Sequence, residues 1–110
     1  MYRHLSQGPL LDLFVVDMRS YRGPNTHNLQ KEESDATAFM GRPQIGWLLD
    51  GLKRSKAVWK VIAADMPIGL QVPDGKDEQG RDRWEAVANG DNGLPFGREL
   101  EIAHLLREIK

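Results

Sequence analysis

The chain has 110 residues, with 15 Lys and Arg against 16 Asp and Glu, no cysteine and a formal net charge of −1. That balance argues against a surface built to track a polyanion, which shows as a basic excess or a clustered basic stripe, so no nucleic-acid patch is expected. The missing cysteines remove disulfides, zinc–thiolate clusters and cysteine nucleophiles together, and no apolar run approaches the ~20 residues that span a bilayer. Hydrophobic residues at 40% and charged residues of mixed sign at 28% describe a foldable chain of one domain at most.

In chain order, residues 10–18 (L-L-D-L-F-V-V-D-M) read as a buried strand: Phe14, Val15 and Val16 form a β-prone run bracketed by Asp12 and Asp17. Residues 19–38 follow, with almost no apolar content and with Gly23, Pro24 and Asn25 as turn formers, and read as a long loop. Residues 43–55 are expected to be a helix, opened by Pro43 and carrying Ile45, Leu48, Leu49 and Leu52 on one face with Trp47 at its buried edge. Residues 57–64 (A-V-W-K-V-I-A-A) read as a second buried strand, ended by Asp65-Met66-Pro67. Strand, helix, strand in that order implies a βαβ crossover.

Residues 67–97 are rich in Gly and Pro and read as a second long loop, and loops beyond about 12–15 residues in compact domains are usually functional or disordered. Residues 98–110 complete the pattern as an amphipathic helix. Ile102, Leu105, Leu106 and Ile109 share a face, with acids early and bases late as the helix dipole prefers. The fold class is α/β, with an apolar inventory that looks small for a free-standing domain; a piece of a larger α/β domain is the economical reading.

Chemical motifs are sparse. Walker A, G-x-G-x-x-G, H-E-x-x-H and G-x-S-x-G sequences are all missing. His4, His27 and His104 are far apart; His104 reads as a partly buried structural residue and His27 as solvated. Asn89-Gly90-Asp91-Asn92-Gly93 reads as a surface turn, and Asp74, Asp77, Glu78 and Asp82 lack the alternation of a calcium loop. The most informative cluster is Asp17, Arg19, Tyr21 and Arg22, where the first strand delivers its carboxyl end into a loop. In open α/β sheets that edge binds ligands, and two Arg with an intervening Tyr can grip an anion through forked N–H donors and a phenolic O–H. The same residues can equally form an ion-pair network that pins the loop.

Four runs, L-D-L-F-V-V-D-M-R-S-Y-R (residues 11–22), G-R-P-Q-I-G-W-L-L-D-G-L (41–52), S-K-A-V-W-K-V-I-A-A-D-M-P-I (55–68) and W-E-A-V-A-N-G-D-N-G-L-P-F-G-R-E-L-E-I-A (84–103), together resemble the alkaline phosphatase D (PhoD-like) metallophosphatases. The D-x-R-x-Y-R, Q-x-x-W-L, W-K-V and G-R-E-x-E-I pieces occur in the family's order over nearly the whole chain. The resemblance implies a larger metallophosphatase-like sandwich, iron and calcium at the metal centre, a phosphate monoester or diester as substrate, and often a periplasmic or secreted protein, although this chain carries no export signal of its own. The family's ligand motifs do not occur in this sequence, so no metal ligand transfers to any residue, and Asp17, Arg19, Tyr21 and Arg22 remain as candidate substrate contacts. Two expectations follow: a fragment of a phosphatase catalytic domain, inactive alone, or a non-catalytic binding module on the same scaffold. The apolar faces of Ile45/Leu48/Leu52 and Ile102/Leu105/Ile109 would then need a partner or a second copy to cover them.

Overall fold

The structure is a computed structural model that describes residues 1–90 and 93–109. A hairpin of β1 (Arg3–Gln7) and β2 (Leu11–Val15) leads through a single 3-10 turn (Asp35–Thr37) to α1 (Arg42–Arg54) and β3 (Trp59–Ala63). A second hairpin, β4 (Pro73–Lys76) and β5 (Asp82–Trp84), precedes α2 (Glu99–Ile109). The first sheet has the order β1-β2-β3: β1 runs antiparallel to β2, with Leu5 opposite Leu13, and β2 runs parallel to β3, with Leu13 opposite Val61. The expected crossover is therefore present, with α1 as the connection between two parallel neighbours.

α1 lies on the sheet face that carries Asp12 and Phe14. Phe14, Val16, Met18, Ile45, Leu48, Phe39, Met40, Val87 and Leu105 form one buried cluster, with Trp47, Leu52, Met66 and Ile102 packed around it. Gly51 makes this approach possible, since a Cβ there would stand 2.6 Å from Phe14 Cε1. Gln44, at the start of α1, locks the helix to the end of β2: its Oε1 accepts from Asp17 N at 2.6 Å and its Nε2 donates to Asp17 O at 2.8 Å.

Several expectations need correction. Ile45, Leu48 and Leu105 are buried in the common core, so most of the helix faces is covered, whereas Leu106 and Ile109 near the end of α2 stay exposed. β3 is not a buried strand: Trp59 is 69% exposed and Val61 43%, because α1 covers the central strand and leaves the outer one and the far sheet face uncovered. β1 was not anticipated, as R-H-L-S-Q lacks a β-branched residue; its pairing to β2 decides its conformation. The second long loop contains the β4–β5 hairpin, organised by Asp77, whose carboxylate accepts from the backbone N–H of Gln79 and Arg81 and from Arg81 Nε. Of the turn expected at residues 89–93, Asp91 and Asn92 lie outside the described residues, as does Lys110 at the end of the expected last helix. Asn89 itself is buried, its N–H donating to Glu99 Oε2 at 2.7 Å.

Both long loops are tied to the start of α2. Asn28, buried and at φ +62°, donates through Nδ2 to the carbonyls of Val87 and Ala88 and accepts Arg98 N–H at 2.7 Å. Gly97 passes directly against it at φ +63°, where a Cβ would stand 2.3 Å from Asn28 Oδ1. Gly97→Ala is expected to cost about 2–4 kcal/mol, combining left-handed strain with overpacking. Gly80→Ala, which also has positive φ but meets nothing within 4 Å, should cost only about 1 kcal/mol. Urea unfolding of the two variants checks the ordering, and equal losses would contradict the close-packed junction.

Candidate functional site

The carboxyl ends of β2 and β3 lie side by side, and the loop after β2 carries the four candidate residues. Asp17 is buried and organises that loop. Its Oδ1 accepts the N–H of Arg19 at 2.9 Å and of Ser20 at 3.0 Å, and its Oδ2 pairs with the amino terminus of Met1. Hydrogen bonds from the terminal ammonium, then the Ser20 hydroxyl, then the two backbone N–H groups hold its carboxyl well below the usual range, with burial opposing.

Arg19 extends outward and donates through Nε to Asp65 Oδ2 at 3.1 Å, joining the ends of the two parallel strands. Tyr21 is exposed and packs against Tyr2, with ring centroids 5.7 Å apart. It also lines a cleft of about 480 Å³ beside the start of α1 whose walls include Glu33, Asp35, Arg42 and Glu101. Arg22 turns the other way, donating through Nη2 to Glu85 Oε1 at 2.8 Å and lying over the Phe39 ring. Among the described residues no hydrogen bond joins the side chains of Arg19, Tyr21 and Arg22 to one another. The four candidates thus share one loop, and their functional ends fan out to different partners.

Two residues outside that set dominate the interior. Arg98, 1% exposed, donates to the backbone carbonyls of Trp84, Ala86, Gly23 and Pro24 and to Asn25 Oδ1, at 3.0–3.3 Å, and its guanidinium lies 4.9 Å from the Phe39 ring centroid. Desolvation, followed by the neighbouring Arg22, pulls its pKa down to about 10, which leaves it a cation at neutral pH. One turn on, the buried Glu101 carboxylate accepts the N–H groups of Phe39, Met40 and Gly41, with a shortest distance of 2.6 Å. The R-E-x-E run was visible in the sequence, but nothing in it told buried from solvated charge.

A hydrogen-bonded chain also lies on the α1 side of the sheet. His4 Nε2 is 3.2 Å from Asp12 Oδ1, and the Ser55 hydroxyl donates to Asp12 Oδ2. The Ser55 bond, then His4 against the opposing cost of burial, holds Asp12 below its ordinary value. The carboxylate stands between Ser and His, so His4 is not placed to act as a base on Ser55, and this is not a nucleophilic triad. His104 is half-buried, as expected.

The described residues do not fit an iron or calcium centre. Among the described residues no group of three or more His, Asp or Glu side chains is placed to hold a metal ion. The carboxylates nearest the strand ends are already committed, Asp17 to its own loop and Asp65 to Arg19.

Sequence and structure comparisons give the class of protein. The model of the PhoD-like phosphatase family matches residues 1–110, and the chain belongs to that family. Alkaline phosphatase D of Bacillus subtilis (strain 168) is 35% identical over a 69-residue alignment covering 57% of this chain and 12% of that protein. A solved structure of PhoD superposes with a TM-score of 0.61 at 22% identity, covering 99% of this chain and 21% of that one. The chain therefore spans about an eighth of the curated relative and about a fifth of the solved one. No described helix is long and apolar enough to cross a membrane.

A carboxylate with a depressed pKa stabilises the fold above its unfolded value, about 3.9, and that contribution is lost as pH falls through the native value. Asp17→Asn should therefore flatten the acid side of the stability profile, so that the variant loses less stability than the parent between about pH 5 and pH 2. Chemical denaturation at several pH values checks this; parallel profiles would contradict the assignment.

Proposed function

We propose that this chain is one part of the catalytic domain of a PhoD-like phosphatase, a sandwich whose further layers and metal ligands come from sequence outside these residues. The observation that carries the reading is the sheet face turned away from α1. Leu5, Leu11, Leu13, Val15, Trp59 and Val61 fall on it by register, and Leu5, Trp59 and Val61 are exposed. Parallel strands are characteristically buried on both faces, and an apolar sheet face of this kind marks a missing layer. The shape agrees: the radius of gyration is 15.1 Å, against about 13 Å for a compact chain of this length.

In this reading the parent hydrolyses phosphate esters, and iron and calcium, held by residues outside this chain, would supply water activation and neutralise phosphoryl charge. This chain's own residues contribute binding and scaffold. Asp17 fixes the loop at the strand ends, Arg19 and Tyr21 present N–H and O–H donors there, and Arg22 braces the loop against Glu85. No step of the reaction is assigned to a metal ligand among the described residues.

Two measurements test the reading. The purified chain, supplied with iron and calcium, is expected to give no hydrolysis of p-nitrophenyl phosphate or bis(p-nitrophenyl) phosphate above the metal blank; turnover would overturn the division of labour. Substituted for the matching segment of the Bacillus subtilis alkaline phosphatase D, it should support metal-dependent hydrolysis. A soluble chimera with a cooperative melt and no turnover would overturn the phosphatase reading.

A further inference from the structure

Beyond the carboxyl ends of β2 and β3 the side chains of Arg19 and Asp65 meet, one from the segment after each strand. The contact uses only Arg19 Nε, at 3.1 Å, and the two side chains are 66% and 44% exposed. An ion pair this exposed adds little to stability, so its structural consequence is orientation. Among the described residues both Nη groups of Arg19 lack a partner, which leaves open the forked edge of the guanidinium that matches two oxygens of a phosphate. Its backbone is fixed as well, because Asp17 Oδ1 takes the N–H of Arg19 and of Ser20. A guanidinium held at its main chain and at Nε is preorganised, and preorganisation lowers the entropic cost of gripping a ligand.

Arg22, in the same loop, and Arg98, packed behind it, offer no such edge. Arg22 spends Nη2 on Glu85, and its unpaired Nη1 is buried beyond the reach of a ligand. Arg98 is enclosed by backbone carbonyls. We propose that Arg19 is the residue of this chain that binds a phosphate-type oxyanion, and that Asp65 is its positioning residue, holding Nε so that both Nη groups face the ligand. The choice of ligand class rests on the phosphatase reading; the geometry of the pair does not.

The test is a titration of the 110-residue chain with inorganic phosphate, followed through the Arg Nε–Hε resonances by NMR. The Arg19 resonance should shift saturably, and Arg19→Ala should abolish binding. Arg19→Lys should weaken it about tenfold, because an ammonium cannot fork. Asp65→Asn keeps an acceptor for Nε and removes a repelling charge, so it should bind at least as well as the parent, whereas Asp65→Ala should weaken binding several-fold. Undiminished binding in Arg19→Ala would overturn the site, and undiminished binding in Asp65→Ala would overturn the positioning role. No saturable shift in the parent would also overturn the site. Phosphate is not turned over, so an inactive chimera with Arg19 still binding phosphate would sink the phosphatase reading alone. An active chimera indifferent to Arg19→Ala would sink only this inference.

Discussion

The fold depends on two buried charges at the start of one helix. Arg98 and Glu101 sit a turn apart, and neither is neutralised chiefly by a side chain. Arg98 is solvated by carbonyls from residues 23–24 and 84–86, and Glu101 by three consecutive N–H groups at residues 39–41. Burying an isolated charge is costly unless its hydrogen-bonding capacity is met, and here backbone groups meet most of it, with Arg98 Nε left unpaired. The bargain is reciprocal. Apart from Trp84 at the end of β5, those carbonyls and N–H groups lie outside the helices and strands, and the two side chains satisfy them in place of a ladder. Glu101 also supplies negative charge where α1 begins and the helix dipole favours it.

This arrangement explains how a chain with so little regular structure holds a defined shape. β2, α1 and β3 make a conventional crossover around Phe14 and Leu48, and Gln44 ties the loop after β2 to the first turn of α1. The loop bearing Arg19 and Arg22 leaves that crossover and is caught at its far end by Arg98, through the carbonyls of Gly23 and Pro24. α2 thereby helps position a candidate anion-binding loop at the opposite end of the sequence. The open face of the sheet is the complement of this design: the interior is organised around α2, while Leu13, Trp59 and Val61 lie on the sheet face that α1 leaves uncovered.

Much of this was legible in the sequence. The periodicity of Ile45, Leu48 and Leu52 and of Ile102 and Leu105 located both helices, and the β-prone runs located β2 and β3 to within three residues at each end. The position of Asp17 just beyond the carboxyl end of β2 was legible as well. What could not be read was partner choice. R-H-L-S-Q becomes a strand only because β2 offers an edge, and a polar loop hides Asn28, whose burial depends on contacts about 60 residues away. Arg22 and Arg19 look alike in D-x-R-x-Y-R, yet one is spent on Glu85 and the other keeps its fork open. The family's four runs identified the protein class, whereas Asp65, the residue that orients Arg19, was visible only as a strand terminator.

The most direct measurement of the central claim is native-state amide hydrogen exchange at Phe39, Met40 and Gly41. These N–H groups lie outside any helix or strand, so ordinary loop behaviour would give little protection. Protection comparable to the middle of α1 is expected, lost together with α2 docking when Glu101 is replaced by Ala. Rapid exchange of all three in the parent chain would contradict the claim that the buried charges of α2 hold the loops in place.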